Sequence, residues 1–202
     1  MGIKGYGQKP FIMAAPIAFI IFSIGTLISI INSPTWELNN LSALGGSKDA
    51  LTAVAFGASC VSAGLLIAFF GVGKIIFERR LDKAAGAFFV LGGLGLMMVG
   101  IFDSSYHLDL HNIWTISFAA AMVIAVGLTS LSDILRGNIL VFVYCIAMVA
   151  IIVVQWPVFS GAMSECIAIG LASVWSFIQT AKYQDLGMLD GSPATSDSIR
   201  DY

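Results

Sequence analysis

Two uninterrupted apolar runs constrain this chain more than anything else in it. Residues 11–31 and 51–77 each reach the roughly 20 residues that a helix needs to cross a hydrocarbon core of about 30 Å. Four more stretches reach or approach that length: 84–102, 113–130, 139–154 and 163–179. A backbone in hydrocarbon must satisfy its own hydrogen bonds, so only helices and closed barrels span membranes. Barrel strands would show alternating segments of about 10 residues, and the sequence has none. The expectation is therefore all-α: a polytopic membrane protein with a six-transmembrane-helix bundle over 1–180 and a polar cytoplasmic tail over 181–202.

Composition agrees. Only 11% of the 202 residues are charged and 58% are hydrophobic, against roughly 25% charged in a soluble domain. That excludes a disordered chain and most soluble enzyme folds. The net charge of −2 gives no basic patch, so nucleic acid is not expected as a partner.

The cations set an orientation. With the N-terminus inside, Lys4, Lys9, Lys74, Arg79, Arg80, Lys83, Arg136, Lys182 and Arg200 fall on the inner side, and Lys48 alone falls outside. Such a bias predicts that both termini are cytoplasmic in a multi-pass protein of the cell membrane. Trp36, Trp114 and Trp156 then lie near the outer ends of spans, at headgroup level. On this reading the inner charges serve orientation only, and Lys74 snorkels to the cytoplasmic headgroups. Cys60, Cys145 and Cys166 lie inside spans and read as small packing residues.

Glycine marks a packing seam. Gly57, Gly64 and Gly71 recur every seven residues in the second span, and Gly86, Gly93 and Gly100 do so in the third. Seven residues are about two helical turns, so each set forms one smooth stripe along which backbones can approach. In an antiparallel hairpin the stripes match in depth as 57 with 100, 64 with 93 and 71 with 86. A close crossing near Gly64 and Gly93 is expected.

Polar residues gather toward the outer face, where ligand recognition or chemistry is expected. The densest segment runs from Asp103 to Asn112 and holds both histidines of the chain, His107 and His111. In a helix Asp103, His107 and His111 share a face; in an extended segment His107, Asp109 and His111 do. Two imidazoles and a carboxylate suit zinc or another divalent metal, with Glu165 as a further carboxylate. The competing reading is a polar loop in which Asn112 caps the next helix. The first outer loop is a second candidate: Asn39, Asn40, Ser42 and Gly45 offer donors and acceptors to a headgroup or small ligand. Its alternative is an interfacial turn with Leu38, Leu41 and Leu44 toward lipid.

The order Asn39-Asn40-Leu-Ser42-Ala-Leu-Gly45, then Phe56-Gly57, a basic hairpin, and Gly100-Ile-Phe-Asp103 running to His111 resembles the prokaryotic six-span DUF998 proteins. That group is similar in plan to the larger DRAM/Sfk-type membrane proteins. The resemblance covers roughly 11–179 and implies a six-helix bundle with Ser42, Gly45 and His111 as family-like polar positions. Asp103 stands where the pattern has proline, and Gly57 where it has asparagine. The family carries no settled activity, so the resemblance implies a fold and not a reaction.

Three functions compete. A non-enzymatic subunit or lipid-associated scaffold, with membrane lipid and a second copy or a membrane-complex partner as its contacts, needs no catalytic constellation. A membrane-embedded metal-dependent hydrolase or lipid-modifying enzyme would use His107 and His111 with Asp103 or Glu165 to activate water. A small transporter would want polar residues at mid-depth, where the spans carry little beyond hydroxyls such as Ser59 and Ser62.

Overall fold

The computed structural model describes residues 4–33, 40–78, 80–155, 158–159 and 161–185, with side chains placed between Gln8 and Tyr183. Within them the chain forms six α-helices: α1 (Lys4–Asn32), α2 (Ala50–Phe77), α3 (Arg80–Ile101), α4 (Leu108–Leu135), α5 (Ile139–Gln155) and α6 (Gly161–Asp185). A 3-10 turn, Leu41–Gly46, precedes α2, and no strand occurs among the described residues. Five helices are long and apolar enough to cross a membrane, which makes this a multi-pass membrane protein; α5, with 17 residues, is the shorter exception. At 1.5 Å per residue α5 is about 25 Å long and α2 or α4 about 42 Å. Asn39, Trp36, Trp156 and the tail from 186 onward lie outside the described residues.

The helix ends follow from local chemistry. Asp49 caps α2, its Oδ2 accepting from both the N–H and the hydroxyl of Thr52 at 2.7 Å. Gly137 takes φ +82° after α4, a conformation cheap only for glycine. That lets the Gly137 N–H reach Ile134 O and the Asn138 N–H reach Asp133 O, both at 2.9 Å. The expected fourth span, 113–130, is thus part of a helix five residues longer at each end. It starts at Leu108 with His107 at the cap position, so Asn112 sits inside the helix and does not cap it.

Consecutive helices from α1 to α4 pack side by side. Between α2 and α3, a Cβ placed on Gly64 would stand 2.5 Å from the Gly93 carbonyl oxygen. One on Gly71 would stand 2.6 Å from that of Gly86, and one on Gly57 3.0 Å from that of Gly100. These are backbone contacts, closer than any side chain allows. The buried centre is built from Phe56, Cys60, Ile67, Phe70, Phe89 and Trp175. Ile31, Val54, Ile116, Val123, Leu140 and Val154 point outward and are exposed, as a bundle in hydrocarbon requires and one in water would not tolerate.

Candidate functional site

At the end of the bundle formed by the α1–α2, α3–α4 and α5–α6 connections, the sequence candidates are used separately. Asp103 Oδ1 accepts the backbone N–H of Ser105 at 2.8 Å and of Tyr106 at 3.0 Å. The Ser105 hydroxyl donates to Gly46 O at 2.8 Å and ties this turn to the first loop. His107 is exposed, its ring edge-on to Phe102 at 5.8 Å. His111 is 2% exposed, with Nδ1 2.7 Å from the Phe102 carbonyl oxygen. A carbonyl only accepts, so Nδ1 is the donor in this contact. Glu165 Oε2 accepts the Leu41 N–H at 2.7 Å, fastening the 3-10 turn onto α6. Asn40 is exposed, Ser42 is half-buried, and Gly45 lies against Phe56.

These groups do not converge. Among the described residues no three His, Cys, Asp or Glu side chains stand together as a metal site would need. The reason is local. α3 stops at Ile101 and α4 begins at Leu108, so the turn between them breaks the helical face that Asp103 would share with the histidines. The start of α4 then turns His107 outward and His111 inward.

The opposite end departs most from the sequence reading. Its charges are not spent on orientation alone. Lys74 does not snorkel: it is 3% exposed, and its Nζ donates to Asp82 Oδ1 at 2.9 Å. Asp82 Oδ2 accepts from the Ser132 hydroxyl at 2.5 Å and pairs with Arg136 at 2.7 Å. Arg136 also reaches toward Glu78 at 3.7 Å, and Glu78 Oε1 accepts the Tyr183 hydroxyl at 2.8 Å. Asp133, fully buried, pairs with Lys182 through Oδ1 and accepts Gln179 Nε2 at 2.9 Å through Oδ2.

Three acids (Glu78, Asp82, Asp133) thus meet three bases (Lys74, Arg136, Lys182), and the set joins α2, α3, α4 and α6. Buried carboxylates of this kind persist only when paired and hydrogen-bonded. A recess of about 20 Å³ beside Lys74, Glu78 and Tyr183, walled by Phe11, Phe70 and Phe77, has room for about one water. A sequence signal for the cluster existed. Lys74 and Asp82 are opposite charges flanking a short turn between two apolar runs, and Asp133 and Arg136 lie one helical turn apart.

Residues 14–182 match the family model described as protein of unknown function, DUF998. The chain belongs to the DUF998 family. No curated protein and no solved structure matches it. The DUF998 match runs from α1 into the last turn of α6, and it takes in the whole charge cluster except Tyr183.

Proposed function

We propose that this DUF998 protein is a six-span protein of the cell membrane with both termini cytoplasmic, acting as a non-enzymatic subunit or lipid-associated scaffold. One observation carries the reading: the buried carboxylates and ammonium groups of the bundle are committed to internal partners that tie helix ends together. Asp82 and Asp133 are neutralised by Lys74, Arg136 and Lys182, while Glu165 and His111 hold backbone groups of neighbouring segments. Groups used in this way fix the relative depth and rotation of helices. The outward apolar faces supply acyl-chain contact, and α5 sits at the low end of the length range for a crossing.

Elemental analysis of the purified, detergent-solubilised protein, beside His107→Ala and His111→Ala, tests the reading. The scaffold predicts no stoichiometric metal, an unchanged unfolding midpoint for the exposed His107, and a lower one for the buried His111. Near-stoichiometric zinc or another divalent metal, lost in either variant, overturns it in favour of the metal-dependent hydrolase. Substrate-dependent flux in proteoliposomes would overturn it in favour of a small transporter.

A further inference from the structure

The 3-10 turn Leu41–Gly46 is fastened at both ends. At its start the Leu41 N–H donates to Glu165 Oε2 of α6 at 2.7 Å. At its finish Gly46 O accepts the Ser105 hydroxyl at 2.8 Å. Between the two tethers Leu41 and Leu44, 2% and 3% exposed, sit in the buried centre with Phe56. The turn lies against α1, α2 and α6. Asn40, the residue before it, is exposed, so the first tether stands at the edge of the buried centre.

The two tethers differ in kind. The Ser105 hydroxyl is neutral at any working pH, whereas Glu165 brings a carboxylate. Glu78, Asp82 and Asp133 each have a cation beside them; Glu165, half-buried on α6, forms no ion pair with any described residue. A carboxylate drawn out of water without a cation is costly, and here a charge-assisted hydrogen bond offsets that cost. A proton on Glu165 removes the charge, and the contact with Leu41 falls to the strength of a neutral hydrogen bond.

The surroundings leave Glu165 as the group that titrates this contact. α1, α5 and the turn itself pack against α6. The end of α1 (22–32), the end of α5 (148–155) and the turn (41–46) carry no titratable side chain. Cys166 follows Glu165 on α6. Lys48 and Asp49 are exposed after the turn, and Asp49 is spent on capping α2. The α3–α4 segment brings Asp103, His107, Asp109 and His111. Asp103 holds the Ser105 and Tyr106 N–H groups, His111 holds Phe102 O, and His107 and Asp109 are exposed. Glu37 lies outside the described residues. We propose that Glu165 is a proton-operated latch. As a carboxylate it holds the turn on α6, and on taking up a proton it lets the start of the turn loosen and uncovers Leu41.

Amide hydrogen exchange of the full chain in lipid nanodiscs, read by mass spectrometry over 41–46 and corrected for the intrinsic pH dependence of exchange, tests the latch. Between about pH 8 and about pH 4, protection of this segment is expected to fall about fivefold, the difference between a charged and a neutral hydrogen bond. Glu165→Gln, neutral throughout, should show the lower protection at both values and no step. A native chain equally protected at both values overturns the proposal. So does a step that survives in Glu165→Gln, which would assign the titration to another group. If Glu165→Gln does not fold, Ser105→Ala decides the matter. Without the neutral tether, protonation should free the turn further and enlarge the step; an unchanged step overturns the latch.

Discussion

At the scale of single residues, the most consequential side chain is Asp82, which accepts from Lys74, Ser132 and Arg136 at once. Removing it leaves the Lys74 ammonium buried without its carboxylate partner. Asp82→Ala is therefore expected to cost about 3–5 kcal/mol, the range for breaking a buried pair. The double replacement Lys74→Met/Asp82→Leu should be milder, because no uncompensated charge is left at that depth and Arg136 can reach water. Reversible unfolding in mixed detergent measures both, and a double variant as unstable as the single would refute the pairing. Asp49 makes a smaller and opposite kind of case, at the exposed start of α2. The Thr52 hydroxyl and N–H hold its carboxyl below the usual aspartate value. Its pKa is lower folded than unfolded, so the stabilisation is present above about pH 3.9 and is lost as pH falls through the folded value. Asp49→Ala should flatten the acid limb of the unfolding midpoint against pH; an unchanged limb would show that the cap contributes nothing.

At the scale of elements, the α2–α3 hairpin is governed by the absence of Cβ atoms. Gly64 abuts a backbone carbonyl, which cannot rotate away as a side chain would. Gly64→Ala should force the helices apart and destabilise by about 1–3 kcal/mol, as overpacking does. Gly127, on the exposed face of α4, has nothing within 4 Å of an added Cβ. Gly127→Ala should be neutral or slightly stabilising through helix propensity. Thermal unfolding of the two variants side by side checks the contrast, and equal losses would show that glycine is only incidental in α3's partner. The paired spacing of these glycines was readable in the sequence because the heptad repeat and the antiparallel turn together leave one register. The length of α4 was not. Its last turns carry Ser130, Ser132, Asp133 and Arg136, which look like a loop until Gly137 closes the helix and the charges find partners on α3 and α6.

At the scale of the whole molecule, the bundle has two polar ends of different character. One is a set of loops and caps bonded through backbone groups; the other is a balanced set of charges shared by four helices. The proposed topology puts the second end in the cytoplasm. Single cysteines at Lys48 and at Asn138, in a chain with Cys60, Cys145 and Cys166 replaced, give the test. A membrane-impermeant maleimide should label the Lys48 position in intact cells and the Asn138 position only after lysis. The reverse pattern would invert the orientation, and labelling of both in intact cells would break the proposed span count.

Much of this protein was determined by its sequence alone: the helical class, the apolar runs, and the membership in the DUF998 family. Hydrocarbon leaves a backbone so few options that run length already names the helical class. The polar residues were another matter. Counting them by side pointed to the Asp103–Asn112 segment, yet whether two histidines share a face depends on where one helix stops and the next starts. The charge cluster draws its charged groups from residues up to 108 positions apart, from Lys74 to Lys182. Pairing over such separations is set by how helices lie against one another, and only the tertiary structure decides that.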